Sequence, residues 1–375
     1  MATDAKSLIV VGQGAAGLAA AVSAAEEAVR RRLRIDITLV EKAREDEAGG
    51  NSRWSPSNIR MEAPDRIAPD FVEEICRQSQ GHAEPAYFRA LEGNAAETIG
   101  WLQARGIEFA TPLYYLSAGP TRIQPLGGGG AIVERLARAA REAGVEIRYE
   151  SPATGLVLSA DRRVRGIELR SGDETTCLDA DAVVLACGGF QASTAMMRAQ
   201  FGPPADGIRL ISPGTRFSTG DGIRMATDIG ARTSGDWTGM HIEPIDPRSA
   251  RSAPVVLVYP YGIVVDRNGR RFFDEGKGLV HETWEAFARD IHFARPQRIA
   301  YAILDSLLFA IEGFERAIRS DIPPYRSDTI EGLALQIGVM PSDLRHTVDA
   351  FNVAASGDAR RFDAARCDGL ATVGL

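Results

Sequence analysis

Apolar and helix-forming segments alternate at the start of the chain. Ser7–Val11 is a short apolar run rich in β-branched residues, and Ile35–Val40 is a second run of the same kind. Residues 17–31 between them are rich in Ala, Glu and Arg, which favour an α-helix. The order strand, helix, strand predicts a βαβ unit, in which both strands lie parallel in one sheet.

Further segments extend this unit as far as residue 186. Helical periodicity marks residues 85–105 and 131–145. Three short strand patterns, separated by turn-forming segments, fill residues 154–180 and predict an antiparallel meander. The run Ala182–Ala186 has the uninterrupted apolar character of a parallel strand that is buried on both faces.

The pattern changes near Trp237. From there to Phe351 it consists of predicted strands in VVLVYPYGIVVD at residues 255–266, a basic turn and several helices, without repeats or a low-complexity linker. The chain is therefore predicted to be an α/β protein, with a Rossmann-like domain at residues 1–236 and an inserted α+β capping domain at 237–355. Residues 356–375 are predicted to begin a return to the first domain.

Composition narrows the classes of function. The chain has 375 residues and a formal net charge of −7, so no large basic surface is expected for nucleic acid. Four scattered cysteines without a CxxC pair argue against a zinc site, an iron–sulfur cluster or a haem attachment motif, and no metal is predicted. The apolar stretch at 8–25 is interrupted by glycines, so it predicts strand, turn and helix, and a cytoplasmic location follows as the default.

The strongest chemical signal is a GxGxxG motif at residues 12–17, placed between a predicted strand and a predicted helix. In this context the first glycine permits a tight turn, Gly14 lets backbone amides approach a diphosphate, and Gly17 lets the helix pack on its strand. The start of the helix adds partial positive charge. Glu41 ends the next strand, where its carboxylate can accept hydrogen bonds from a ribose diol.

GxGxxG followed by an acid fits NAD as well as FAD. The meander, and the final strand that ends in Gly188 and Gly189, favour FAD, a cofactor in two parts that crosses the sheet. Residues 219–222 then read Thr-Gly-Asp-Gly ahead of a helix, where Asp221 can engage the ribityl or diphosphate region. A plain helix cap explains these four residues equally well.

At this point the chain resembles the fumarate reductase/succinate dehydrogenase flavoprotein family, and most closely its tricarballylate dehydrogenase-like branch. The motifs that carry the resemblance run in family order across nearly the whole length. They are VVGQGAAGLAAA, EKA at residues 41–43, GGNSRWS at 49–55, SPATGLV at 151–157, VVLACGGF at 183–190, TGDGIRMA at 219–226 and NGRRFFDEG at 268–276.

The motifs and the resemblance together imply a set of FAD contacts in the first domain. These are Gly12, Gly14, Ala15, Ala16, Gly17, Glu41, Lys42, Ala43, Gly49, Gly50, Asn51, Ser52, Ala153, Ala186, Gly188, Gly189 and Asp221. Relatives attach the flavin covalently through a histidine after the second strand. GGNSRWS contains no histidine, so FAD is expected to be held noncovalently.

The resemblance also implies the reaction. Hydride transfer with flavin N5 would dehydrogenate or reduce a CH–CH bond of a small, tricarballylate-like carboxylic acid. His241 matches a substrate-binding histidine of relatives, although a capping or core role fits it equally well. Arg271 is a second candidate, and a solvated hairpin tip is the alternative for the turn that contains it.

The turn at residues 268–276 departs from the family. Many relatives carry a proton-shuttling arginine four or five residues beyond its glutamate, where this chain has Leu279 and Val280. The remaining candidates for proton transfer are Lys277 and His281, together with Tyr259 or Tyr261 on the preceding predicted strand.

Other readings of function stay open at the level of sequence. The chain stops before the C-terminal segment with which relatives close over the flavin, which suggests a shortened, non-catalytic flavin-binding fragment as one alternative. A 3-ketosteroid-type FAD dehydrogenase is another. The electron acceptor is not encoded in a recognisable motif, and a quinone-linked membrane partner is as compatible with the sequence as a soluble one.

Overall fold

The computed structural model describes residues 5–113, 121–276 and 278–355, with the side chains of 354 and 355 excepted. These residues divide into two compact units. The first takes in the described residues of 5–112 and 121–238, and the second takes in Leu113 and the described residues from 239 onward. The domain limits 1–236 and 237–355 remain a prediction, and the predicted return segment 356–375 lies outside the described residues.

Thirteen strands and ten α-helices are assigned within the described residues. The strands are β1 (Lys6–Val11), β2 (Ile35–Val40), β3 (Met61–Ala63), β4 (Arg66–Ile67), β5 (Phe109–Ala110), β6 (Gln124–Pro125), β7 (Glu146–Arg148), β8 (Ala153–Leu158), β9 (Val164–Ser171), β10 (Glu174–Asp179), β11 (Ala182–Leu185), β12 (Ile263–Val265) and β13 (Tyr301–Ile303). The helices are α1 (Ala15–Arg31), α2 (Gly50–Trp54), α3 (Phe71–Gln78), α4 (Pro85–Gln103), α5 (Gly128–Glu142), α6 (Thr194–Phe201), α7 (Asp221–Asp228), α8 (Val280–Arg289), α9 (Ile330–Ile337) and α10 (Pro341–Ala355).

A parallel sheet in the order β11-β1-β2-β7 forms the centre of the first unit. Val11 is in register with Val40 on one side and with Leu185 on the other, so three strands end at the same edge. Loops that follow parallel strands meet at this carboxyl edge, where α/β folds bind ligands. The predicted α/β class is confirmed, and the βαβ unit is present as β1, α1 and β2.

The two faces of this sheet are covered differently. On one face, Val10 and Leu39 pack with Leu18 of α1 and Leu136 of α5 in a buried apolar cluster. On the other face, Ile9, Val11 and Val40 pack with Ile167 of β9. Strands β8, β9 and β10 pair antiparallel, so the predicted meander is also confirmed. Alternate residues of β1 thus fill two cores, as the pleat of a strand requires.

Two expectations about strands were wrong. The predicted strand Ala182–Ala186 is not buried on both faces: β11 lies at the edge of its sheet, and its residues are exposed or partly buried. The apolar segment that precedes β12 contains a 3₁₀ turn, Tyr259–Tyr261. Pro260 lacks a backbone N–H, which removes a ladder donor and favours such a turn over a strand.

The second unit is built around the antiparallel pair β12 and β13. Ile263 and Val265 face a cluster that includes Phe351 of α10, while Val264 faces a cluster with Phe287 of α8. The three residues of β12 are therefore buried on both sides of the strand. Within the described part of the chain, no helix is long and apolar enough to cross a membrane.

Candidate functional site

Two positions of the GxGxxG motif, one in the turn after β1 and one in the first turn of α1, accept only glycine. Gly12 has φ of +103°, and a Cβ there would lie 2.5 Å from the carbonyl oxygen of Ala186. A Cβ on Gly17 would overlap the carbonyl oxygen of Gly12. The first glycine of the motif therefore permits the contact between β1 and the end of β11, and the third permits the contact between α1 and the turn.

The start of α1 offers backbone donors at the carboxyl edge of the sheet. No side chain caps the helix at Gly14, and the first amides of any helix lack intrahelical partners. The Ala15 amide donates to Ser52 Oγ over 3.0 Å. A Cβ on Gly14 would meet only Ser52 Oγ and the Gly49 carbonyl oxygen, both at 3.4 Å or more, which is ordinary van der Waals contact.

Glu41 is held rigidly at the end of β2. Its side chain is buried, and its two carboxylate oxygens accept hydrogen bonds from the amides of Gln13 at 2.7 Å and Ala43 at 2.8 Å. Each oxygen retains a second lone pair, with which a carboxylate can accept a hydroxyl donor. The acid therefore stands beside the glycine turn, as a ribose diol next to a diphosphate requires.

Lys42 and Asp221 form an ion pair at the same edge. Lys42 Nζ lies 2.8 Å from Asp221 Oδ2 and 2.6 Å from Thr219 Oγ1, and the Thr219 hydroxyl donates to Asp221 at 2.7 Å. Burial alone would raise the pKa of Asp221, but the hydrogen bonds from Lys42 and Thr219 outweigh it and lower that pKa. Asp221 is therefore an anion at neutral pH, at the first residue of α7.

The loop after β2 contributes the start of α2. Gly49 has φ of +114°, which a residue with a side chain rarely adopts. The Asn51 side-chain oxygen accepts a hydrogen bond from Thr215 Oγ1 at 2.7 Å, and its nitrogen donates to Ser218 Oγ at 3.4 Å. Thr215 and Ser218 were missed at the level of sequence, although both lie in the polar stretch SPGTRFSTGDG ahead of α7.

The structure brings the sequence-predicted cofactor residues of the first unit to the carboxyl edge of one sheet. Each group of residues follows the carboxyl end of one strand. After β1 come Gly12, Gly14, Ala15, Ala16 and Gly17, and after β11 come Ala186, Gly188 and Gly189. After β2 come Glu41, Lys42 and Ala43, followed further along the loop and α2 by Gly49, Gly50, Asn51 and Ser52. Ala153 starts β8 in the cluster that contains Val11 and Val40, and Asp221 starts α7.

A cleft of about 360 Å³ adjoins this edge within the first unit. Lys42, Ala43 and Arg44 of the loop after β2 line it, together with Arg170 and Phe217. The lining residues Lys42, Ala43 and Arg44 directly follow Glu41 in the chain, so the cleft adjoins the loop that carries the acid. The first unit therefore offers what an adenine dinucleotide needs: helix amides for a diphosphate, an acid for a ribose, and a cleft next to the loop that carries this acid.

In the second unit, His241 lies between two carboxylates. Its Nδ1 contacts Glu285 Oε1, and its Nε2 lies 3.2 Å from Glu243 Oε1. Hydrogen bonding to Glu243 first and Glu285 second raises the pKa of His241 to about 10. The ring is therefore an imidazolium at neutral pH, with both of its N–H groups directed at glutamates.

Arg271 is part of a buried ion pair. Its Nε and Nη2 lie 2.8 and 2.6 Å from Glu275 Oε2, and Glu275 Oε1 accepts the Val264 amide at 2.5 Å. The side chains of Arg271 and Glu275 are 9% and 1% exposed. The solvated hairpin tip considered from the sequence is thus not where Arg271 lies, since its guanidinium is buried against β12.

The remaining catalytic candidates lie on other elements of the second unit. Tyr261 is buried in the 3₁₀ turn, and His281 is the second residue of α8, one turn before Glu285. Lys277 lies outside the described residues. The neighbouring Tyr259 hydroxyl is 2.6 Å from Thr283 Oγ1, and burial raises the pKa of Tyr259, so this phenol stays protonated at neutral pH.

Comparison with known proteins identifies the class. Residues 7–366 match the family described as FAD binding domain, and the chain belongs to that family. Its cofactor is accordingly FAD, and the glycine turn, the uncapped helix start and the buried acid fit this group.

Several curated relatives are named as fumarate reductases or as reductases of other small molecules. The chain is 27% identical over 380 residues to a probable fumarate reductase of Shewanella frigidimarina, covering 96% of this chain and 61% of that protein. It is 29% identical over 248 residues to a vinyl phenol reductase of Lactiplantibacillus plantarum, covering 63% and 48%. It is 27% identical over 313 residues to an NADH:fumarate oxidoreductase of Klebsiella pneumoniae, covering 80% and 32%. The chain thus spans about three fifths or less of the length of these relatives.

Solved structures share the fold. The open conformation of a flavocytochrome c3 fumarate reductase aligns with a TM-score of 0.71 at 23% identity, over 99% of this chain and 65% of that one. The 3-ketosteroid delta1-dehydrogenase of Sterolibacterium denitrificans aligns with a TM-score of 0.72 at 22% identity, over 96% and 82%. At these identities the likeness concerns the fold.

Proposed function

We propose that this chain acts as an FAD-dependent oxidoreductase on a CH–CH bond next to a carboxyl or carbonyl group. The observation that carries the proposal is the gathering of the glycine turn, Glu41 and the Lys42–Asp221 pair at the carboxyl edge of one sheet, in a chain of the FAD-binding family. When bound, FAD supplies the acceptor or donor of a hydride. Relatives named as fumarate and vinyl phenol reductases support a reaction at a carbon–carbon bond.

The cofactor would be held by the residues gathered at the carboxyl edge. The amides at the start of α1 would receive the diphosphate, and the carboxylate of Glu41 would accept the ribose hydroxyls. No histidine occurs in residues 49–55, which supports noncovalent binding. Precipitating the purified protein with acid tests this point: the yellow flavin should stay in the supernatant, and flavin that remains with the pellet would contradict it.

For the substrate, the first candidate is a small carboxylic acid of the tricarballylate type, as the sequence resemblance implies. His241 is a permanent cation at neutral pH and so suits a carboxylate. A substrate carboxylate would have to replace Glu243 or Glu285 at one ring nitrogen. Proton transfer would then fall to Tyr261, His281 or Lys277, none of which the sequence or the contacts single out.

A second candidate, an uncharged ketone of the 3-ketosteroid type, is favoured by a different observation. Both cations proposed for a substrate carboxylate already contact internal carboxylates: His241 contacts Glu243 and Glu285, and Arg271 contacts Glu275. Removing the partner of a buried charge is costly, commonly about 3–5 kcal/mol. A ketone would leave the Arg271 pair intact, whereas a polyanion would compete for it.

The decisive experiment is a dye-reduction screen with the FAD-loaded chain and an artificial electron acceptor. Tricarballylate, succinate and 4-androstene-3,17-dione serve as donors, each with and without His241→Gln. Turnover of an acid that His241→Gln reduces at least tenfold supports the first candidate, and turnover of the ketone alone supports the second. Retained FAD with no turnover on any donor contradicts the proposal and favours a non-catalytic flavin-binding role.

The physiological partner and location also remain proposals. Relatives are named for cytochrome and NADH as redox partners, so a soluble electron acceptor is the simplest extension to this chain. A quinone-linked membrane partner and a cytoplasmic location are further proposals, and oxidation of the reduced chain by a quinone analogue compared with NAD would separate the acceptors.

A further inference from the structure

A polar segment of the first unit, Ser212–Ser218, packs against the loop that carries α2. Its central part is the 3₁₀ turn Pro213–Phe217. A Cβ on Gly214 would overlap the carbonyl oxygen of Gly50, so the two backbones touch and only glycine allows the approach. The segment is therefore in direct contact with the first residue of α2.

Thr215 and Ser218 both form hydrogen bonds with the side-chain amide of Asn51. Thr215 is 3% exposed and Ser218 is 5% exposed. Thr215 Oγ1 donates to the Asn51 oxygen at 2.7 Å and lies 3.0 Å from Ser212 Oγ, and the Asn51 nitrogen donates to Ser218 at 3.4 Å. Asn51 thus has a hydrogen bond at each end of its side-chain amide, and these bonds tie α2 to the segment at that residue.

The next residue along α2 reaches the helix start that faces the cofactor. Ser52 Oγ accepts the Ala15 amide at 3.0 Å. Thr215 is thus connected to the first residue of α1 through Asn51 and Ser52, which are adjacent in the chain. A shift of α2 would move the Ser52 hydroxyl at the point where helix amides are available to a diphosphate.

An ion pair at the surface adds a weaker contact between the same two segments. Arg216 contacts Glu47, and their side chains are 50% and 33% exposed. Exposed pairs of this kind contribute little because water and salt screen them. The buried Thr215 hydrogen bond is therefore the stronger of these two contacts.

We propose that Thr215 is a positioning residue for FAD, which acts through Asn51 and Ser52 to hold α2 against the start of α1. It would not touch the cofactor itself. The inference needs only that this chain binds FAD, as its family does, and is independent of the substrate and of catalysis.

The test is the dissociation constant of FAD, measured by flavin fluorescence as FAD is added to the apoprotein. Thr215→Val keeps the shape of the side chain and removes the donor to Asn51, so the buried Asn51 oxygen loses its partner. In the apoprotein, α2 is then free to shift so that water reaches the Asn51 oxygen, and FAD binding has to restore its position. We expect a rise in Kd of about tenfold, because this restoration leaves the buried acceptor unpaired again. Thr215→Ser keeps the hydroxyl and should restore binding to within about threefold of wild type.

Two further variants separate positioning from general stability. Thr98→Val makes the same change on the exposed face of α4, where the hydroxyl bonds the Asn94 carbonyl, and should leave Kd unchanged. Ser218→Ala removes the other partner of Asn51 and should raise Kd by about threefold, which also covers a failure of Thr215→Val to fold. A wild-type Kd in folded Thr215→Val or in Ser218→Ala would overturn the proposal, as would equal weakening in Thr98→Val.

Discussion

At the scale of single residues, the site depends on glycines whose missing Cβ atom leaves room for neighbouring backbone atoms. Gly12 combines φ of +103° with a backbone neighbour 2.5 Å from its missing Cβ. Neither condition can be relaxed by a flexible side chain, because the obstructing atoms belong to the backbone of Ala186. The turn is consequently intolerant of the smallest side chain.

Replacing Gly12 by Ala should therefore destabilise the first unit and abolish stoichiometric FAD retention. We expect a loss of about 2–4 kcal/mol of unfolding free energy from strain and steric overlap, measured by urea unfolding. Gly93→Ala is the matched control: nothing lies within 4 Å of its missing Cβ in α4, so it should stabilise by about 0.5–1 kcal/mol. Equal stability of the two variants would contradict this account of the turn.

His241 gives a prediction about pH. Its pKa is raised from 6.5 to about 10 by Glu243 and Glu285, so the folded state binds the proton more tightly than the unfolded state. The stabilisation is complete below pH 6.5 and is lost as pH rises towards 10. The imidazole is 59% exposed, and screening limits the effect to about 1 kcal/mol.

Urea unfolding of the wild type and His241→Gln at pH 6, 8 and 10 would measure this effect. The stability advantage of the wild type should shrink steadily across the series. An advantage that grows with pH, or does not change, would show that the two glutamates do not hold the imidazolium.

At the scale of elements, the buried pair of Arg271 and Glu275 fixes the turn after β12. Glu275 accepts the Val264 amide from the strand and the Arg271 guanidinium from the turn. The guanidinium lies 5.2 Å from the ring of Phe351 in α10. The Glu275 carboxylate therefore bonds both β12 and the turn after it, and the Arg271 guanidinium that it holds lies against a ring of α10.

Glu275→Gln should destabilise the second unit by about 3–5 kcal/mol, because it leaves a buried guanidinium without its counter-charge. Glu331→Gln is the control, since it breaks an exposed pair with Arg345 between α9 and α10 and should cost less than about 1 kcal/mol. Thermal unfolding followed by circular dichroism measures both. A small loss for Glu275→Gln would mean that water reaches the pair.

At the scale of the whole molecule, FAD binding should raise the free energy of unfolding. A ligand that binds only the folded state stabilises it by about 2.7 kcal/mol at a concentration one hundred times its Kd. Excess FAD should raise the unfolding temperature of the apoprotein, while NAD at the same concentration should leave it unchanged. A larger shift with NAD than with FAD would contradict the assignment of the cofactor.

Most elements of the first unit could be predicted from local patterns in the sequence. The local patterns are GxGxxG between Ser7–Val11 and a helix, an acid after Ile35–Val40, and a meander at 154–180. The structure contains the corresponding elements. Local patterns also misled at two places. The apolar run at β11 could not show that it lies at a sheet edge, and the segment before β12 forms a turn at Pro260.

The sequence by itself determined the fold class, the cofactor and the strands that lead to its site, because turn, helix and strand propensities act over a few residues. Only the tertiary structure decided which partners the charged and polar side chains meet. Thr215 meets Asn51 across 164 residues, and His241 meets Glu285 across 44. Such contacts depend on packing between distant segments, and no spacing along the chain encodes them.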